Sequence, residues 1–325
     1  MGVVKIPEFR KLINFGKTSY VISLPKGWIK KNNLKKGDTV VLKRNSEGLI
    51  ILPKISKKKE RLEVQIKADG KSLEELRREI IANYIDGYNT IRIIGEHVGN
   101  ISGRIKRNVL NKLMGIEIIE EGSKKLILKD FIDPEQMDVL ELIRKADIMV
   151  RELFIDVKDF FKKPKVSIDN LYARDDEINR ITYFVSRIIK YKLEISDSEF
   201  SPMQFLIIWQ IMSDIERIGD EVKRLGKYLK KLESEGEIKM RIKSIYSEVE
   251  KLYLDVMRAL FLKNRKLALK LAPKKTTLIT KLKKLSEKAH QVLWAQNIIE
   301  KMKNIVLLTN NIGRMVSHLI LTNEQ

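Results

Sequence analysis

No cysteine occurs among the 325 residues, which removes disulfide scaffolds, zinc ribbons, iron–sulfur clusters and thiol catalysis together and fits a reducing compartment. Histidine is nearly as scarce. His97, His290 and His318 are widely separated, and no Ser or Asp arrangement around them is recognisable as a triad; His290 and His318 fall on expected helix faces as structural or solvent-facing residues. Long apolar runs are missing too. The longest, Phe205 to Trp209, is far short of the roughly 18 residues a membrane-spanning helix needs. Glycine-rich phosphate loops are also absent, because Gly95-Glu96-His97-Val98-Gly99 has no terminal Gly-Lys-Ser/Thr. The N-terminus does not read as a signal peptide, and Ile6 stands where a myristoylation motif wants Ser or Thr. These absences lead to the expectation of a cytoplasmic, soluble chain that is not an enzyme and does not insert into a membrane.

Acidic residues are in deficit: 43 Asp and Glu face 64 Lys and Arg, for a net charge of +21. A lysine-rich thermophile surface and an anionic partner both produce such a sum. The distribution favours the partner. Residues 1–60 hold 15 Lys and Arg against 4 Asp and Glu, a net of +11, so over half of the excess lies in under a fifth of the chain. A local bias of this kind marks a polyanion-binding surface, with DNA the expected partner.

What is present divides the chain into three parts, in keeping with roughly 150 residues per domain as a soft prior. Leu12–Phe15 and Ser19–Leu24 read as strands around a turn at Gly16-Lys17, followed by a brief helix from Trp28 to Asn32. A turn at Leu34–Asp38 then leads to strands over Thr39–Lys43 and Leu49–Leu52. About 45 residues of this kind make a meagre core. Leu12, Ile13, Val21, Ile22, Leu24, Val40, Val41 and Ile51 are too many to expose and too few to close a core in one chain, so an obligate homodimer is expected.

Gly16-Lys17-Thr18-Ser19-Tyr20-Val21-Ile22-Ser23-Leu24-Pro25-Lys26, followed by Leu34-Lys35-Lys36-Gly37-Asp38-Thr39-Val40, resembles the AbrB/SpoVT family of swapped-hairpin DNA-binding domains. In that family two chains interlace hairpins into one small barrel, so the resemblance implies both the dimer and DNA binding, although the same fold also serves as a dimerisation or antitoxin module. Arg10, Lys11, Lys17, Lys26, Lys43 and Arg44 are the candidate DNA contacts by charge, with Arg10 or Arg44 the residues suited to base edges.

Beyond the lysine run Lys57–Lys59, a linker, the pattern changes to a small α/β unit. It has strands over Leu62–Ile66, Thr90–Ile94, Ile116–Ile119 and Lys125–Leu128, a helix opened by the capping box Ser72-Leu73-Glu74-Glu75, and a second helix over Ser102–Leu113. From Pro134 onward apolar residues recur every three or four positions. Six helices are expected, over about 134–162, 167–191, 201–233, 237–263, 266–289 and 291–321, with Pro273 breaking or kinking the fifth. Ile218-Gly219-Asp220 recurs as Ile312-Gly313-Arg314, a spacing that suits two tandem three-helix units. The paired helical glycines point to close packing.

Arg174-Asp175-Asp176-Glu177-Ile178-Asn179-Arg180 and Asp214-Ile215-Glu216-Arg217-Ile218-Gly219-Asp220 look like the paired motifs of the PhoU family of phosphate-uptake regulators, which has two three-helix bundles and binds multinuclear iron or zinc-type clusters. The order AbrB-like, small α/β, PhoU-like also resembles archaeal PhoU-related proteins. The resemblance implies a metal (iron, zinc, manganese or magnesium) on Asp175, Asn179, Glu216 and Asp220, since residues four apart share a helix face. Asn179 replaces an expected aspartate. In the second bundle Thr276, Thr280, Asn310 and Arg314 stand at the corresponding places, and no metal is expected there. The competing reading of the first cluster is interhelical ion pairing among Asp175, Glu216, Arg180 and Arg217.

The fold class is therefore multidomain: a small all-β swapped-hairpin domain at 1–56, a small α/β domain at 60–132, and an all-α PhoU-like domain of two three-helix bundles at 134–233 and 237–325. The expected function is a DNA-binding transcriptional regulator of phosphate uptake. The alternative is a signalling adaptor that docks on a phosphate transporter or kinase, with the N-terminal domain serving only to dimerise.

Overall fold

The computed structural model describes residues 9–45, 48–53, 62–162, 167–194, 200–232 and 236–321. The chain separates into two compact units, Met1–Glu60 and Arg61–Gln325.

In the first unit β1 (Ile13–Phe15) and β2 (Ser19–Val21) form an antiparallel hairpin with Ile13 opposite Val21. Gly16 holds φ at +72° in its turn, a conformation glycine adopts without Cβ strain. A six-residue helix α1 (Lys26–Lys31) follows, and then a second hairpin of β3 (Val41–Asn45) and β4 (Gly48–Leu52).

The second unit opens with a four-stranded sheet in the order β5-β6-β8-β7, built from β5 (Glu63–Lys67), β6 (Thr90–Ile94), β7 (Ile116–Glu121) and β8 (Lys125–Asp130). Only β5 and β6 run parallel. The crossover between them is α2 (Leu73–Ile85), whose capping box is formed as expected, Ser72 accepting from Glu75 N while the Glu75 carboxylate accepts from Ser72 N. The next helix, α3 (Val98–Asn108), starts four residues before the expected Ser102 and gives way to a 3-10 turn at Leu110–Lys112. Its entry carries no side-chain cap, so no cap residue marks that start in the sequence. Leu76, Ile80, Tyr84, Ile91, Ile93, Ile105, Leu126 and Leu128 are fully buried between sheet and helices.

Six further helices follow among the described residues: α4 (Val139–Phe160), α5 (Asp169–Glu194), α6 (Pro202–Lys231), α7 (Glu237–Phe261), α8 (Arg265–Lys288) and α9 (Ala295–Leu321). The first three pack on one another, as do the last three, and the two sets meet most extensively along α6 and α9. Residues 134–136 form a 3-10 turn, and α4 begins only after Asp138, whose carboxylate caps Leu140 N and Glu141 N. Pro273 does not break α8. It is exposed, and Leu269, whose carbonyl loses its helical donor, is 53% exposed, so the lost hydrogen bond lies on a solvent-facing stretch of the helix.

One side chain ties the α/β layer to the bundles. Arg187 of α5 is 2% exposed; its Nη1 donates to the carbonyls of Tyr84 and Tyr88, and its Nη2 donates to Asp130 Oδ2 at 2.5 Å. Its guanidinium also lies 4.8 Å from the centre of the Tyr84 ring. Burial raises the Asp130 carboxyl against the pull of Arg187. Such a pair fixes geometry more than it adds stability, because desolvating both charges offsets most of their attraction.

Candidate functional site

The first candidate site is the N-terminal unit, and its defining property is the lack of a core. Among the described residues from 9 to 53 whose exposure is given, none is buried. Leu12, Phe15 and Tyr20 are 68–70% exposed on the first hairpin, and Leu42 and Leu49 are each 58% exposed on the second. Clusters of large exposed hydrophobics of this kind mark interaction surfaces. Lysines and arginines share this surface. Arg10 and Lys11 precede β1, Lys17 sits in the hairpin turn, and Lys26 opens α1; all four are exposed. Lys43 and Arg44 pair with Ile50 and Leu49 across β3 and β4, while their side chains lie outside the described residues. Asp38 faces inward on its own loop, accepting from Lys35 N at 2.7 Å.

The second candidate is the acidic cluster of the first bundle. Asp175 and Asn179 lie on α5, and Glu216 and Asp220 on the neighbouring α6, as the four-residue spacing requires. The structure brings the two helices together through a residue that the motif comparison omits. Lys223 Nζ donates to Asp175 Oδ2 at 2.6 Å and lies 2.9 Å from Asp220 Oδ1, with its side chain only 12% exposed. Burial works against its ammonium, but the two carboxylates outweigh that and hold its pKa above the ordinary lysine value. Glu216 is pushed up by burial first and by the charges of Asp220 and Asp175 second. The Asn179 amide nitrogen turns back on its own helix, donating to the Asp175 carbonyl at 2.9 Å.

This arrangement does not fit a metal ion as it stands. An ammonium holds the position between Asp175 and Asp220 that a cation needs, and the Asn179 nitrogen, a donor, is turned toward Asp175. Among the described residues no three His, Asp or Glu groups gather closely enough to hold a metal. The expected ion pairs also fall elsewhere. Arg217 reaches Asp214 at 3.4 Å, Arg180 reaches Glu177 at 3.6 Å, and Arg224 takes Asp220 at 2.6 Å. The missed residue carried a signal: Lys223 is three positions from Asp220 and shares its helix face. In the second bundle Thr280 donates to the Thr276 carbonyl at 2.9 Å. Asn310 and Arg314 border a cavity of only about 40 Å³ beside Lys275.

Comparison with known proteins bears on the N-terminal stretch. Residues 15–70 match the family model of antidote-toxin recognition MazE, bacterial antitoxin, so the N-terminal stretch is a MazE/AbrB-type domain. Among solved structures the chain is similar to PhoU from Pseudomonas aeruginosa, at 17% identity over 57% of this chain and 92% of that one, with a TM-score of 0.47. It is also similar to the phosphate transport system regulatory protein PhoU from Streptococcus pneumoniae, at 16% identity over 56% and 92%, with a TM-score of 0.38. No curated protein matches the chain. No helix among the described residues is long and apolar enough to cross a membrane.

Proposed function

We propose that the chain is a homodimeric DNA-binding regulator in which the N-terminal hairpins of two copies cover one another and the paired unit holds DNA, while the helical region conveys phosphate status. The observation that carries this is the unburied N-terminal unit: bare strand residues and a net charge of +11 over residues 1–60 lie in one stretch. A second copy covers the apolar strands, and the remaining basic residues face a polyanion. The phosphate part of the proposal rests on the sequence motifs at 174–180 and 214–220. The matched antitoxin family adds support for an interaction module in this stretch.

Mobility-shift titration of the full chain against DNA from upstream of its own gene tests the proposal. Wild-type protein is expected to sediment as a dimer and shift the DNA, and the Lys17→Glu, Lys26→Glu double variant to remain dimeric and lose the shift. A dimer that shifts no DNA leaves the adaptor that docks on a phosphate transporter or kinase as the better account. A monomer at micromolar concentration contradicts both.

A further inference from the structure

Between the α/β layer and the first bundle, within the second unit, lies a polar cleft of about 400 Å³. Its walls are the end of α3 with the 3-10 turn, the start of β7 from Gly115 to Ile118, and Arg180 of α5. Three residues with donor side chains line it, Lys106 of α3, Asn111 of the 3-10 turn and Arg180 of α5. Neither the Lys106 nor the Asn111 side chain has a hydrogen-bond or ion-pair partner among the described residues. Arg180 Nε is closed off from solvent without a partner among them. Its Nη1 meets Glu177 only at 3.6 Å, beyond hydrogen-bond reach.

The Arg180 side chain is 37% exposed, so its terminal nitrogens can be reached from the cleft, and no hydrogen bond among the described residues takes up its charge. The walls are held in place beforehand. Lys112 of the 3-10 turn bridges to Asp176 of α5 at 2.9 Å, and the Tyr84 hydroxyl donates to the Met114 carbonyl at 2.8 Å just before β7. A planar carboxylate is satisfied by an arginine fork alone. Donors that come from two facing walls suit a tetrahedral anion with several oxygens. Glu117, also on the rim and unpaired among the described residues, disfavours a bare anion and offers an acceptor to a hydroxyl beside the phosphate.

We infer that this cleft binds a small phosphate-bearing anion through Arg180, Lys106 and Asn111. That it acts as the effector site of a DNA-binding regulator rests on the function proposed above, whereas the binding itself does not. The site joins the α/β layer to α5, the helix that also carries Arg187 and Asp175.

Calorimetric titration of the full chain with inorganic phosphate and with glycerol 3-phosphate, at fixed ionic strength, is the test. Saturable binding is expected, weakened at least about tenfold by Arg180→Met and by Lys106→Met. Lys284→Met, which removes the same charge from an exposed position on α8, is expected to leave it unchanged. Glu117→Gln separates the two sources of phosphate, tightening inorganic phosphate by relief of like charge and weakening an ester whose hydroxyl donates to the carboxylate. No saturation by either probe up to about 10 mM, equal binding by Arg180→Met, or the same loss in Lys284→Met overturns the inference. A wild-type chain that shifts DNA but binds neither probe rejects this site alone; one that binds phosphate but shifts no DNA rejects the DNA proposal alone.

Discussion

Lys223 decides the chemistry of the acidic cluster, because three carboxylates on two facing helices need a counter-charge and the chain supplies one from its own side chain. Removing it leaves Asp175, Glu216 and Asp220 partly buried without that partner. Lys223→Ala is therefore expected to lose about 2 kcal/mol by urea denaturation, less than a fully buried pair because the cluster is not wholly dry. The same variant should acquire divalent-cation binding in calorimetry with manganese or zinc, and lose it again when Glu216→Ala and Asp220→Ala are added. Unchanged stability and no gain of binding would show that Lys223 is not the counter-ion. Asp147 behaves differently. It is 2% exposed, and burial raises its carboxyl above the ordinary value although Arg151 lies 2.7 Å away. A carboxyl raised in the folded state costs stability above its folded pKa, and that cost fades as the pH falls toward the unfolded value. Asp147→Asn is thus expected to be more stable than wild type near pH 7.5. The gap should close toward pH 4, as denaturation midpoints at the two pH values will show.

At the scale of the element, helix packing gives the glycines inside helices different weights. A Cβ on Gly226 would meet Leu171 Cδ1 at 2.8 Å and Val157 Cγ2 at 2.9 Å, and one on Gly219 would meet Ile178 Cδ1 at 3.0 Å, whereas Gly313 leaves 3.8 Å to Val256. Gly226→Ala is expected to cost about 1–3 kcal/mol through overpacking. Gly313→Ala should be neutral or gain up to about 1 kcal/mol from helix propensity. Urea midpoints for the pair check this, and equal effects would contradict it. The sequence pattern placed α2, α6 and α8 well because their starts are marked locally, by the Ser72 and Ser201 capping boxes and by Asn264 as a cap, but it began α4 at 134 rather than after the Asp138 cap. It misplaced the start of α3, where no side chain caps the entry. It saw Asp175 and Asp220 but not their bond through Lys223, and it gave no sign that Arg187 is buried. Those features depend on which helices face one another, and spacing within one helix does not contain that information.

For the whole molecule the central feature is a division of labour between a second unit with a continuous buried core and an N-terminal unit with no buried residue among those whose exposure is given. Composition made that legible before any fold was known, since charge and apolar strands crowd into the same 60 residues. The measurement that tests the account most directly is the salt dependence of DNA affinity, followed by fluorescence anisotropy on the full chain. With six phosphates neutralised per complex, log K against log salt should fall with a slope of about −5. At the lowest salt, where any residual binding of the Lys17→Glu, Lys26→Glu variant is still measurable, the slope should be shallower. A slope near zero, or one that the two substitutions leave unchanged, would contradict DNA binding by the N-terminal unit.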